Sequence, residues 1–265
     1  MSRLHASNLT LRRGQRTVSQ GLSLSIPDGS FTVIVGPNAC GKSTLLAAFA
    51  RILAPSQGQV VLDGEAIQQL PSKVVARRLG LLAQSALAPE GIQVAELVAR
   101  GRFPHQGWLR QWSKTDECAV EAALAATGLR DLADRAVDGL SGGQRQRVWI
   151  AMVLAQETPL LLLDEPTTFL DIAHQIELLE LLAQLNRQGR TIIAVLHDLN
   201  QACRYASHLV AMKDGAVVAS GVPAAVFTEQ LVEEVFGLDA LIIADPISGT
   251  PMLIPRGVSA RAAGA

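Results

Sequence analysis

The sequence predicts an α/β fold: a parallel sheet of apolar strands covered by helices. Three observations carry this. Hydrophobic residues make up 49% of the 265 residues and aromatics only 4%, so the core must be assembled from Leu, Ala, Val and Ile. That composition suits parallel strands buried on both faces. Short apolar runs (Phe31–Val35, Leu79–Ala83, Leu160–Leu163 and Thr191–Leu196) are separated by stretches of helical character. Each run also ends in a residue that can do chemistry: Gly36, Gln84, Asp164 and His197. In open α/β sheets ligands bind beyond the carboxyl ends of the strands, so the four runs point to one functional edge.

The elements follow in order. Phe31–Val35 reads as a buried strand, and Lys42–Leu53 as a helix closed by Pro55 and Gly58. From Glu90 to Arg135 the pattern becomes rich in Ala, Leu and Glu, most clearly at Glu117–Ala126. This reads as a helical subdomain inserted between strands, spanning about residues 88–158. Ile176–Leu185 is expected to be helical, and Leu209–Met212 and Val217–Ser220 flank a hairpin turn at Lys213-Asp214-Gly215. The whole is expected to be one domain, residues 1–258, with an Ala/Gly/Ser-rich end after Arg256 and a disordered tail at 259–265.

Composition excludes several classes. Lys plus Arg is 23 and Asp plus Glu is 24, a net charge of −1 with no basic run. A dedicated nucleic-acid binder, whose affinity rests on neutralising phosphates, is disfavoured. Cys40, Cys118 and Cys203 form no CxxC and read as reduced thiols. Met1–Leu11 lacks the apolar stretch of a signal peptide. No apolar run approaches the ~18 residues needed to span a bilayer, so work at a membrane would go through a partner.

Gly36-Pro37-Asn38-Ala39-Cys40-Gly41-Lys42-Ser43 matches GxxxxGK[ST] between a strand and a helix. Backbone N–H groups of such a loop wrap phosphates, and the helix N-terminus adds partial positive charge. Lys42 is expected to reach the β- and γ-phosphates of ATP, Ser43 to ligate Mg²⁺, and Thr44 to add a phosphate contact. Ala39 stands where glycine is commoner and costs about 1 kcal/mol if its φ is positive. Cys40, near a helix N-terminus, is expected to have a lowered thiol pKa.

Leu160–Leu163 leads into Asp164-Glu165-Pro166. Strand alternation would send the two acids different ways, Asp164 to the Mg²⁺ shell and Glu165 to the attacking water. That division suits phosphoryl transfer, where positioning and charge neutralisation dominate. Gln84, at the end of Leu79–Ala83, is placed to touch both Mg²⁺ and the water, and His197 to hydrogen-bond the γ-phosphate. His5, His105, His174 and His208 read as structural.

Leu140-Ser141-Gly142-Gly143-Gln144 precedes an Arg/Val/Ile-bearing helix, a second anion-binding helix start in a chain that already has a phosphate loop. Here the sequence resembles the ATP-binding cassette (ABC) family, whose signature reads LSGGQ. The resemblance covers essentially the whole chain. It implies a P-loop NTPase cassette: a RecA-like core, an antiparallel β subdomain and the inserted helical subdomain. It implies a catalytic set of Lys42, Glu165 and His197, with Gln84 as the Q-loop and Asp171 closing the D-loop Thr168–Asp171. Mg²⁺ falls to Ser43, Gln84 and Asp164. It also implies a homodimer in which Ser141, Gly142, Gly143 and Gln144 close on the ATP held by the other protomer. The usual adenine-stacking aromatic is missing from Leu9–Gly14; Arg13 occupies its place, and a guanidinium can stack on a base.

Val98–His105, Asp171–Gln175, Leu196–Ala202, Trp149–Thr168 and Ala202–His208 narrow the resemblance to the ATPase subunit of iron–siderophore importers, the ferric-enterobactin type above all. That implies membrane permease subunits as partners, a periplasmic or surface substrate-binding protein indirectly, and a peripheral position on the cytoplasmic face of the inner (plasma) membrane. Soluble ABC ATPases acting on DNA or ribosomes usually carry two cassettes or a long coiled coil, and neither is present. The third reading, a cassette cut from a fused exporter, is disfavoured by the lack of a membrane segment. Ser85–His105, just after Gln84, is unusually apolar and is expected to form a permease-docking groove rimmed by Arg100, Arg102 and His105.

Overall fold

The computed structural model describes residues 2–84, 88–107 and 112–258. Expectations for Ser85–Leu87 and for the tail at 259–265 lie outside the described residues. The chain divides into two compact units, Met1–Gln69 with Ile193–Ala265, and Leu70–Ile192.

The first unit opens with β1 (Leu4–Arg13), β2 (Arg16–Ile26), β3 (Phe31–Val35), α1 (Lys42–Phe49), β4 (Gln57–Leu62) and β5 (Glu65–Ala66). Four of these form an antiparallel sheet in the order β2-β1-β4-β5. This is the β subdomain that the family resemblance implies. Strand β3 is buried at all five positions, as its unbroken apolar run requires. Helix α1 stops at Phe49, short of the expected Leu53. Arg51 turns left-handed at φ 60, and the Leu53 N–H donates back to the Ala47 carbonyl at 3.0 Å, so the chain reverses before Pro55 is reached.

The second unit contains α2 (Ser72–Arg78), β6 (Leu79–Leu82), α3 (Val94–Ala99), a 3-10 turn Arg100–His105, α4 (Lys114–Ala126), α5 (Gly142–Ala155), β7 (Leu160–Asp164) and α6 (Ile172–Arg187). Strands β6 and β7 pair in parallel, Leu79 opposite Leu160 through Leu82 opposite Leu163. Helix α4 starts earlier than the periodicity of Glu117–Ala126 indicates, because Ser113 and Asp116 form a reciprocal capping box ahead of it. Helices α3 and α4 both pack on α5, and Ile92, Val94, Leu97 and Val98 are buried there. Among the described residues after Gln84, these four apolar side chains are therefore core.

Arg102 is not on a rim. It is 3% exposed, its Nε donating to Asp116 Oδ1 at 2.9 Å and its Nη1 to the Ala155 carbonyl and Glu157 Oε2, both at 2.7 Å. A buried guanidinium is tolerated only with such saturation. His105 is also engaged, its Nε2 2.8 Å from the Gln156 carbonyl. Phe103, in the same turn, stays 61% exposed.

Strand β8 (Thr191–Val195) carries the chain back into the first unit. There follow α7 (Leu199–Tyr205), β9 (His208–Lys213), β10 (Ala216–Gly221), α8 (Pro223–Val226), α9 (Glu229–Phe236), β11 (Leu238–Ala244) and β12 (Pro251–Val258). Strand β9 runs parallel to β3, with Thr32 opposite His208 and Val35 opposite Ala211. It turns through Asp214–Gly215 into antiparallel β10, the hairpin expected at that dipeptide. Strands β11 and β12 make a further two-stranded hairpin that the sequence reading does not anticipate. The chain is thus ordered in a strand through Val258, two residues past the Arg256 at which fraying is expected. Asn200 and Arg204, one turn apart on α7, both reach this hairpin, at Leu253 and Asp245.

Candidate functional site

In the first unit the phosphate loop joins β3 to α1. Its entry is tight: a methyl group on Gly36 would lie 2.2 Å from the Met212 carbonyl oxygen, so only glycine lets the loop leave β3 against β9. Gly41 is the N-cap of α1, which has no side-chain cap and no acidic residue in its first turn. The helix start is left to its own N–H groups, the arrangement that receives an anion. Lys42 is buried, and its Nζ donates to the Gly36 and Pro37 carbonyls at 2.8 Å each. The ammonium is thus held at the head of the loop by the loop itself. Ser43 and Thr44 are half-buried beside it, and Asn38 is exposed. Ala39 adopts φ 61, the left-handed conformation that makes it costly there.

Cys40 departs from expectation. It is buried against Lys42 Nζ, 3.9 Å from its sulfur. Burial pushes the thiol pKa up, and the opposing pull of Lys42 does not overcome this. The helix terminus does not make it a reactive thiolate.

The same unit brings His197 toward this loop. The Leu196 N–H bonds the Ile34 carbonyl at 3.3 Å, so His197 follows directly on a residue tied to the strand that enters the loop. Asp198 then caps α7, its carboxylate accepting the Gln201 N–H at 2.9 Å. Arg13 is exposed at the β1–β2 turn, where it pairs with Arg16.

In the second unit Asp164 is the last residue of β7 and is buried. Glu165 is not in the strand. Its φ of 53 turns it left-handed, and its carbonyl accepts the Thr168 N–H at 3.2 Å. Glu165 lies in this turn and outside β7, so strand alternation does not set its direction. A non-glycine residue held this way stores strain of a kind that clusters at working sites. Gln84 is exposed, two residues past β6, which ends at Leu82 and not at Ala83.

The signature segment starts α5. Ser141 is its N-cap, with its hydroxyl accepting the Gln144 N–H at 3.2 Å and the Gln144 side-chain oxygen accepting the Ser141 N–H at 3.0 Å. Gly142 and Gly143 face the D-loop: a methyl group on Gly142 would stand 3.7 Å from Phe169 Cβ, and one on Gly143 3.3 Å from the Phe169 carbonyl. Gln146 adds a bond to the Pro166 carbonyl at 3.1 Å. Signature, D-loop and the turn after β7 therefore form one cluster. Asp171 caps α6, and its hydrogen bonds to the backbone and ring of His174 hold its carboxyl below the usual range. His174, read from sequence as structural, is its direct partner. Gln146 was missed; its signal is its position five residues after Ser141, on a helix that begins against the D-loop.

Comparison with known proteins gives consistent matches. A family model described as ABC transporter matches residues 19–168. The ferric enterobactin transport ATP-binding protein FepC of Escherichia coli (strain K12) is 59% identical over 261 residues, covering 98% of this chain and 96% of that protein. The probable siderophore transport system ATP-binding protein YusV of Bacillus subtilis (strain 168) is 56% identical over 258 residues, covering 97% and 94%. Among solved structures, a metal-chelate type ABC transporter in an inward-facing conformation aligns with TM-score 0.80 at 28% identity, covering 96% of this chain and 97% of that one. The dimeric structure of the bacterial ABC transporter cassette MJ0796 aligns with TM-score 0.76 at 28% identity, covering 83% and 98%.

Proposed function

Because the chain belongs to the ABC transporter family, we propose that it is the ATP-hydrolysing subunit of an importer that takes up iron–siderophore complexes of the ferric-enterobactin kind. The fold is that of an ABC cassette, read as one domain over residues 1–258 with the helical insertion at about 88–158. The observation that carries the ATPase reading is Lys42, buried and pinned by two loop carbonyls at the head of an uncapped helix. The siderophore reading rests on the relatives' named substrates.

In this reading Gly36–Thr44 bind the phosphates of ATP, with Lys42 on the β- and γ-phosphates. Arg13 stacks on the adenine. Ser43, Asp164 and Gln84 hold Mg²⁺, which when bound neutralises charge on the phosphate oxygens. Among the described residues no group of three or more His, Cys, Asp or Glu side chains gathers. A hydroxyl, one carboxylate and an amide suit a metal that keeps its waters and phosphate ligands. Glu165 orients the attacking water, and His197 hydrogen-bonds the γ-phosphate. Ser141 to Gln144 and Asp171 meet the nucleotide of a second copy in a head-to-tail dimer.

No described helix is long and apolar enough to cross a membrane. In this reading separate permease subunits carry the substrate, with this chain peripheral on the cytoplasmic face of the inner membrane and a substrate-binding protein acting from the other side, as the relatives' transport roles suggest. The test is a pair of variants. Lys42→Ala is expected to lose ATP turnover. Glu165→Gln is expected to bind ATP without hydrolysing it and to run as an ATP-dependent dimer on gel filtration. Near-normal turnover in Lys42→Ala, or a Glu165→Gln protein that stays monomeric with ATP and Mg²⁺, refutes the assignment.

A further inference from the structure

Among the described residues, two Asp-Gly hairpin turns have nearly the same shape. Asp63 and Gly64 join β4 to β5 with φ 51 and 84; Asp214 and Gly215 join β9 to β10 with φ 49 and 81. Positive φ at both central residues is the two-residue hairpin turn that the right-handed twist of strands favours. As local structure the turns are equivalent. Their surroundings differ completely.

A methyl group on Gly64 would meet nothing within 4 Å. On Gly215 it would lie 1.8 Å from the Val18 carbonyl oxygen and 3.1 Å from Ser19 Cα. The Gly215 N–H donates to the Cys40 carbonyl at 3.0 Å, inside the phosphate loop. The missing Cβ of Gly41, the next loop residue, points at Val18 Cγ1 at 3.1 Å and at Gly215 Cα at 3.8 Å. At the other end of the loop, Gly36 passes against the Met212 carbonyl of β9. Thus both ends of the loop rest on one hairpin, the entry on its strand and the exit on its turn. Lys213, next to the turn, is anchored in its own right, Nζ donating to the Glu234 carbonyl at 2.6 Å.

We propose that the Asp214–Gly215 turn is a positioning element for ATP, holding the exit of the phosphate loop through the Gly215 N–H and the Val18 backbone. The Gly215 N–H draws the Cys40 carbonyl outward. A peptide whose carbonyl is held on the outside turns the following N–H, that of Gly41, toward the inside, where an anion is received. Gly215 itself touches no phosphate. This rests on the reading of Gly36–Thr44 as the ATP loop.

The two turns supply their own control. Gly64→Ala imposes the left-handed strain of a side chain in an open site; Gly215→Ala imposes the same strain and also drives the turn off Val18. The measurement is equilibrium binding of ATP with Mg²⁺ to the full chain, alongside thermal melting without nucleotide. Gly64→Ala is expected to bind within twofold of the parent. Gly215→Ala is expected to bind at least tenfold more weakly than Gly64→Ala. A ratio below tenfold in folded protein overturns the proposal. If Gly215→Ala does not fold, amide exchange of the parent protein decides. Added ATP is expected to slow exchange at Gly215 at least tenfold and leave Gly64 unchanged; equal exchange at Gly215 with and without ATP overturns it. Failure of the parent to bind ATP would instead refute the loop assignment.

Discussion

Asn200 brackets the backbone of Leu253. Its side-chain amide donates to the Leu253 carbonyl at 3.2 Å, and its oxygen accepts the Leu253 N–H at 2.7 Å. One side chain on α7 thereby replaces a neighbouring strand along the open edge of β12. Four residues on, Arg204 faces Asp245 at 3.8 Å, and both attachments lie on one face of the helix.

Replacing Asn200 by Ala is expected to loosen the hairpin without unfolding the core. Each bond contributes about 1 kcal/mol at a partly solvated site, and water can take over both backbone groups. Amide exchange in β12 should accelerate about tenfold, while β3, buried throughout, should not change. Unchanged exchange at Leu253 would mean the bracket does not hold the hairpin.

Arg102 and Asp116 are expected to behave as a unit. Hydrogen bonds from Ser113, and then from Arg102, hold the Asp116 carboxyl down at about 2, against 3.8 for an ordinary aspartate. A carboxylate held low contributes stability that is complete above its unfolded value and is lost as pH falls through its folded value. The melting difference between parent and Asp116→Asn should therefore be constant above pH ~5 and shrink between about pH 4 and 2. Arg102→Met leaves a buried charge uncompensated and should cost about 3–5 kcal/mol in denaturant unfolding.

The thiols are expected to separate by burial. Cys118 is exposed, whereas Cys40 and Cys203 are buried. Burial first, and Asp198 second, raise the Cys203 pKa to about 12. Mass spectrometry of briefly alkylated protein at pH 7.5 should find Cys118 modified first and Cys203 last. Rapid labelling of Cys40 would contradict its packing under the loop.

Phe103 is expected to mark the permease-docking surface. It is 61% exposed, while Ile92 is 7% exposed. Phe103→Glu should retain ATPase activity in solution and lose permease binding and transport; Ile92→Glu should fail to fold. Normal transport by Phe103→Glu would place docking elsewhere.

The sequence made the phosphate loop, the acids at the end of β7 and the signature legible because each is a fixed spacing anchored to a strand end or a helix start. It was less informative where a residue's partner lies far along the chain. Arg102 in Arg-Gly-Arg looks solvated until Asp116 and Glu157 are brought to it. Cys40 looks activated until its burial is known, since a helix terminus and desolvation act in opposite directions and only packing decides between them. Helix α1 was overextended because its stop is a left-handed Arg51, a position at which glycine would have been a visible signal. Strands β11 and β12 were missed although Leu238–Ala244 and Pro251–Val258 flank Asp245-Pro246 and Gly249-Thr250, a turn composition that marks a hairpin.

The reciprocal bonds between Ser141 and Gln144 have a consequence for motion. Helix α5 begins with Gly142 and Gly143, each about 1 kcal/mol poorer than alanine as a helix former in the interior. The first turn therefore depends heavily on two hydrogen bonds made by side chains at an exposed surface. Such a turn opens at far lower cost than the rest of its helix, which continues into the buried Val148, Ile150 and Ala151. A partner that docks on this turn gains affinity according to how little of it has to be ordered on binding. A Ser141→Ala protein would lose the bond from the Gln144 N–H to the hydroxyl and keep the one from its own backbone N–H to the Gln144 side chain, so part of this entropic penalty would return and its defect would appear as a weaker, more temperature-sensitive association.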